Sequence, residues 1–266
     1  MSGVGAVLAK ARAEGRAALV GYLPVGYPDV AGSIDAMVAM VESGVDIVEI
    51  GVPYTDPLMD GPVIAHAADV ALQNGTRLAD VFTAVRAVAD AGAPALVMTY
   101  WNPVLRYGVD RFADDLAKAG GAGLITPDLI PDEGGEWISA AERNDLDRVF
   151  LVAPSSTPQR LRSTTAACSG FVYAASTMGV TGARSSVGDA AEVLVNRTRL
   201  MTDTPICVGL GVSTGAQAAQ VAAFADGVIV GSALVRCLTD AGSRDAGIAA
   251  IRELSAELAL GVRKGR

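Results

Sequence analysis

Histidine and lysine are almost missing from this chain of 266 residues. His66 is the one histidine, so no cluster of imidazoles can hold a metal ion. A Ser–His–Asp triad would have to use that same residue, which sits in a helical pattern and reads as an ordinary helix position. The lysines are Lys10, Lys118 and Lys264. None falls at a predicted strand end, which argues against Schiff-base chemistry. Cysteine is scarce too. Cys168, Cys207 and Cys237 are widely spaced and form no CxxC pair or disulfide framework. Cys207 and Cys237 sit in apolar runs and read as buried thiols.

Long apolar runs are also absent. None reaches the roughly 18 residues that a membrane span needs. The first residues, MSGVGAVLAKARAEG, lack the continuous apolar centre of a signal peptide, so a soluble cytoplasmic protein is expected. Acidic residues outnumber basic ones, 29 against 21, and the net charge of −8 disfavours nucleic acid and anionic membranes.

Against these absences stand 30 glycines and a hydrophobic fraction of 51%, which suit a compact core with many tight turns. Eight short β-like runs alternate with helical patterns. The runs are Ala18 to Pro24, Val45 to Val52, Ala95 to Trp101, Ala122 to Thr126, Asp147 to Ala153, Gly170 to Ser176, Pro205 to Gly209 and Asp226 to Gly231. Between them, Ile34, Met37, Val38 and Val41 form an i, i+3, i+4, i+7 stripe, and Val81, Ala84, Val85 and Val88 repeat it. A helical segment precedes the first run, and a short helix, Ser232 to Cys237, follows the last.

This order implies parallel βαβ units. The expected fold is α/β, a closed (β/α)8 TIM barrel that forms a single domain over residues 1–266. About 250 residues is typical of that fold. An open, doubly wound sheet is the alternative, although no GxGxxG follows the first strand.

Active sites of such barrels lie at the C-terminal ends of the strands. The second strand and its loop, Val45 to Pro62, read VDIVEIGVPYTDPLMDGP. Period-two alternation puts Val45, Ile47, Glu49 and Gly51 on one face. If that face lines the barrel, Glu49 is desolvated near the mouth and its pKa rises, which suits proton transfer near neutrality. The alternatives are a glutamate paired with an arginine, or a register slipped by one residue. Asp60 lies in a loop rich in turn residues, beside Gly61 and Pro62. It reads either as a chemical group or as a cap for the helix Val63 to Leu72, and Asp56 before Pro57 reads the same way. Late glycines point to a phosphate: Gly182 after the sixth strand, Gly209 and Gly211 around the end of the seventh, and Gly231-Ser232 at the end of the eighth. Barrels often bind phosphate there, although tight turns alone would also use glycine.

The run Glu49-Ile-Gly-Val-Pro-Tyr-Thr-Asp-Pro-Leu-Met-Asp-Gly-Pro62 closely resembles the signature of the tryptophan synthase alpha chain family. The likeness continues in Gly179-Val-Thr-Gly-Ala183, in Val208-Gly-Leu-Gly-Val212 and in Val230-Gly-Ser232. It implies a lyase that cleaves indole-3-glycerol phosphate to indole and glyceraldehyde 3-phosphate. It also implies a pyridoxal-phosphate-dependent beta chain as partner, in an alpha2beta2 hetero-tetramer, and no cofactor in this chain. A stand-alone lyase, or another phosphate-binding barrel isomerase or epimerase, is the alternative.

On this resemblance Glu49 and Asp60 are catalytic. Tyr173 stands beside the glutamate, and Thr181 belongs to a loop that closes over the site and orients the aspartate. Gly182, Gly211, Gly231 and Ser232 contact phosphate. Tyr22, Tyr100, Ile125 and Leu210 are expected around the indole, and Pro53 and Asp56 at the partner interface. Three residues depart from the usual pattern: Leu210 replaces an aromatic, Tyr22 a phenylalanine and Met59 a small residue. The substrate fits the missing lysines, because protonation of indole C3 turns the ring into the electron sink that a retro-aldol cleavage needs.

Overall fold

The computed structural model describes residues 3–175 and 189–265. Strands β1 (Ala18–Pro24), β2 (Ile47–Gly51), β3 (Ala95–Met98), β4 (Gly123–Thr126), β5 (Asp147–Val152), β6 (Val172–Ala175), β7 (Ile206–Gly209) and β8 (Gly227–Val230) pair in parallel in chain order. β8 pairs back onto β1, so the sheet is the closed barrel expected from the alternating runs. Almost every strand residue is buried, because one face meets the barrel interior and the other meets the helices. The interior is filled by alternate residues such as Ile47, Leu96, Ile125, Val149, Phe171 and Ile229.

The described residues hold twelve helices. These are α1 (Gly3–Ala13), α2 (Val30–Glu42), α3 (Pro62–Gln73), α4 (Leu78–Asp90), α5 (Trp101–Tyr107), α6 (Val109–Lys118), α7 (Gly135–Arg143), α8 (Pro158–Ala167), α9 (Asp189–Arg199), α10 (Gly215–Ala222), α11 (Ser232–Thr239) and α12 (Arg244–Lys264). Their starts are written in the sequence. Asp29, Thr157, Thr214 and Ser243 each accept a hydrogen bond from the backbone N–H three residues on. α1 carries Val4, Leu8 and Ala11 into the same apolar cluster as the barrel interior, and so covers the N-terminal ends of the strands. No helix among the described residues is long and apolar enough to cross a membrane.

Two elements differ from the sequence reading. The third β-like run ends early, at Met98, and Trp101 opens α5 instead of closing a strand. There the Trp101 N–H, one of the donors a first helical turn leaves free, is taken by the Asp128 carboxylate at 2.9 Å. The longest helix, α12, is not among the helical patterns read from the sequence, although Ile251, Leu258 and Val262 lie buried along one of its faces. Small residues let it come close to its neighbours: Gly261 lies so near Gly215 of α10 that a Cβ there would strike the Gly215 carbonyl.

The register that serves the mouth is fixed at the foot of the barrel. Arg16, only 7% exposed, forks onto Asp46 through Nη1–Oδ2 at 2.7 Å and Nη2–Oδ1 at 2.9 Å. The same Asp46 carboxylate accepts the Leu19 N–H of β1 at 2.8 Å. This clamp joins the start of β2 to the start of β1, and the register that follows sets Tyr22 opposite Glu49. Replacing Asp46 by alanine removes the forked partner of a buried guanidinium, which keeps only Glu14 and the Ala17 carbonyl, and takes the acceptor from the Leu19 N–H. The expected loss is about 2 kcal/mol of stability, read as a lower urea midpoint. A midpoint equal to that of the unaltered chain would show that the clamp contributes nothing.

Candidate active site

Glu49 sits in the middle of β2 with its side chain inside the barrel, 1% exposed. The odd-numbered face of β2 therefore points inward, and the slipped register is excluded. The arginine-paired alternative fails too, since the Glu49 Oε2 has no hydrogen-bond partner and no ion pair holds the residue among the described residues. Burial raises its pKa to about 8, and the charge of Asp60 adds to the shift.

Asp60 is not a helix cap. The N-cap of α3 is Gly61, with no side-chain hydrogen bond. The Asp60 Oδ1 instead accepts the Tyr100 hydroxyl at 3.3 Å. Burial pushes the Asp60 pKa up, and the Tyr100 O–H works against that rise. Glu49 thus feels the charge of Asp60 across the mouth of the barrel.

Tyr100 does more than form an apolar wall. Its ring is buried, but its oxygen accepts the N–H groups of both Leu58 and Met59, each at 3.0 Å. One phenol therefore receives two backbone bonds and gives one to Asp60, which uses its full hydrogen-bonding capacity. Tyr54, from the same loop, packs on the Tyr100 ring at 5.4 Å and accepts from Asn102 Nδ2 at 3.3 Å. Nothing in the local sequence signals this clamp. Its only trace is an aromatic one residue before α5.

Tyr22 and Tyr173 complete the polar layer. Burial lifts both phenols well above their ordinary range, and the charge of Glu49 adds to each. The Tyr22 ring lies flat across Gly51, where a Cβ would collide with its hydroxyl. Glycine at 51 is therefore what admits a tyrosine at 22. Leu210 is buried in the loop after β7, and Ile125 packs in the barrel filling beside Leu96 and Val149.

Of the expected phosphate contacts, Gly211, Gly231 and Ser232 come together at the C-terminal ends of β7 and β8. Gly211 has φ +70°, a backbone state that favours glycine. Gly231 is the N-cap of α11, and no side chain among the described residues caps that helix. Thr181 and Gly182 lie outside the described residues. At the expected partner face, Asp56 is exposed, whereas Pro53 is buried.

Other chemistries find little support. Gly211 to Gly215 has GxSxG spacing, but the Ser213 hydroxyl bonds Gln217 at 3.0 Å, and His66 is an exposed α3 residue whose ring edges Tyr27. Among the described residues, no group of three His, Cys, Asp or Glu side chains is placed to hold a metal.

The family model for the tryptophan synthase alpha chain matches residues 8–261. The chain belongs to that family. It is 63% identical to the tryptophan synthase alpha chain of Mycobacteroides abscessus, covering 97% of this chain and 96% of that protein. It superposes on a chain of Mycobacterium tuberculosis tryptophan synthase with TM-score 0.94 at 61% identity, covering 98% of each. A tryptophan synthase alpha chain from Legionella pneumophila matches at TM-score 0.88 with 28% identity, covering 98% of this chain and 97% of that one.

The buried Glu49 has a consequence for stability. Its pKa is higher folded than unfolded, so the unfolded state ionises first. Stability is then lost as pH climbs from the ordinary carboxylate range towards about 8. At pH 7.5 the Glu49→Gln variant is expected to be the more stable protein, by something on the order of 3 kcal/mol. The gap should close below about pH 4, where both states hold the proton. Urea titrations of both proteins at several pH values read this directly, and a gap that does not change with pH would refute it.

Proposed function

We propose that this chain works as the alpha subunit of tryptophan synthase, cleaving indole-3-glycerol phosphate to indole and glyceraldehyde 3-phosphate. The observation that carries this reading is the Glu49 carboxyl, buried without a partner for Oε2 and facing Asp60 in a barrel whose far rim offers an uncapped helix to a phosphate.

At neutral pH, a carboxyl with a pKa of about 8 carries its proton. In the proposed cycle Glu49 gives that proton to indole C3, which makes the ring an iminium. It then takes the proton of the C3′ hydroxyl as the C3–C3′ bond breaks. The bond electrons return to the indole ring, the aldehyde leaves, and Glu49 regains its proton. No metal and no Schiff base with a lysine enters this cycle. Asp60 accepts the indole N–H and stabilises the positive charge that develops there, a preorganised electrostatic role. Its hydrogen bond from Tyr100 favours the ionised form that this role requires. Gly211, Gly231, Ser232 and the first turn of α11 take the phosphate, helped by Gly182. Tyr22, Tyr100, Ile125 and Leu210 surround the indole, Tyr173 flanks Glu49, and Thr181 orients Asp60.

The partner is the beta chain, which carries the pyridoxal phosphate and receives the indole. Exposed apolar side chains support a docking face on the mouth side: Leu58 in the loop after β2, Leu105 on α5 and Ile130 after β4. Asp56 lies in the same loop as Leu58 and is exposed, so it joins that face. A cytoplasmic enzyme fits this role.

Purified Glu49→Gln and Asp60→Asn are expected to stay folded and to lose cleavage by about 100-fold or more. With the intact chain, kcat/KM should fall as pH rises through about 8, because the protonated Glu49 starts the cycle. A rise through that pH would leave Glu49 only the base step. Indole release measured with and without a beta chain tests the partnership. An unchanged turnover would favour the stand-alone lyase.

A further inference from the structure

The loop after β2 is tied to α5 through Tyr100, and α5 is tied to the loop after β4 through Asp128. Both Asp128 carboxylate oxygens accept the Trp101 N–H, Oδ1 at 2.9 Å and Oδ2 at 3.1 Å. Trp101 is joined by one peptide bond to Tyr100, the N-cap of α5. The Tyr100 hydroxyl in turn holds Leu58, Met59 and Asp60. The path from Asp128 to Asp60 is therefore one carboxylate–amide bond, one peptide link, one rigid phenol and one hydrogen bond.

We infer that Asp128 is a positioning residue for Asp60, acting through the first turn of α5 and the Tyr100 phenol. The inference rests on the functional reading given above. Asp128 is exposed and touches neither Glu49 nor Asp60, so it takes no part in the chemistry itself. Its work is geometric. Trp101 opens α5, and the Asp128 bond takes a first-turn N–H and so anchors that turn to the loop after β4. That turn brings the Tyr100 hydroxyl within reach of three consecutive residues of the loop. Positions set to within an ångström decide whether a group meets its substrate productively. A side chain that fixes the phenol therefore fixes the carboxylate it holds.

The test reads Asp60 by two independent routes. The first is the titration of its side-chain carboxyl in the full-length chain labelled with 13C-aspartate, the signal being assigned by its loss in Asp60→Asn. The titratable groups around Asp60 are Glu49 on β2, Tyr22 on β1 and Tyr100. The two phenols stay neutral through the range, and the Glu49 contribution is common to every variant of the series. Tyr100→Phe should raise the Asp60 midpoint, because the O–H that favours its ionised form is gone. Asp128→Ala should raise it in the same direction. Asp128→Asn keeps an acceptor oxygen for the Trp101 N–H and should restore it. In the Tyr100→Phe background, Asp128→Ala should add nothing.

The second route is kinetic. Asp128→Ala should lower kcat for cleavage by about tenfold, with KM changed far less. An Asp60 midpoint unchanged by Asp128→Ala overturns the inference, and so does a shift that adds in full to that of Tyr100→Phe. Absence of cleavage by the unaltered chain would instead sink the functional reading and leave the titration standing.

Discussion

Everything at this site depends on keeping water from one carboxyl. A ring of eight parallel strands closed by β8 on β1 leaves the inward face of β2 no solvent below the mouth. Glu49 stands on that face, with Tyr22 opposite it. A carboxylate in such a place loses its hydration without gaining a cation, so the neutral form is preferred. The same desolvation destabilises the fold in the neutral range and prepares the group to exchange protons there. In the proposed cycle, stability and function draw in opposite directions on this one residue.

The second carboxylate is governed differently. Asp60 lies on a loop, closer to solvent, and the network from Tyr100 sets its geometry. That network runs crosswise, from the loop after β2 to α5 and on to the loop after β4. The strands of the barrel hold Glu49, whereas side chains reaching between loops hold Asp60. A strand position is rigid because ladder bonds flank it on both sides. A loop position must borrow its rigidity from neighbours, and here the neighbour is a phenol with every hydrogen-bonding position occupied.

What was legible in the sequence follows the range of the forces involved. Alternation with period two is local, so the shared face of Ile47, Glu49 and Gly51 is readable from sequence, whereas the closed barrel decides that this face points inward. Helix caps at Thr157 and Thr214 are local as well, each side chain taking the N–H three residues on. Trp101 continues an apolar run, and the Asp128 carboxylate that anchors it as the start of α5 lies 27 residues away. Asp60 looked like a cap because Gly-Pro and a helix follow it, and only the fold brings Tyr100 to it from a distant segment. α12 buries a helical stripe of Ile251, Leu258 and Val262, and the close approach that Gly261 allows to Gly215 shows only once α10 is in place. The specific role of Asp60 could be approached only through the family resemblance, since no composition or spacing rule distinguishes it from Asp56.

α1 gives the barrel a direction. With Val4, Leu8 and Ala11 packed into the interior cluster, the filled barrel is covered at its foot among the described residues. Anything that meets Glu49 then comes from the rim and leaves past the same rim. The rim is also the face where Leu58, Leu105 and Ile130 stand exposed. A subunit seated on it would cover that approach, and traffic to and from Glu49 would then pass through that subunit's hands.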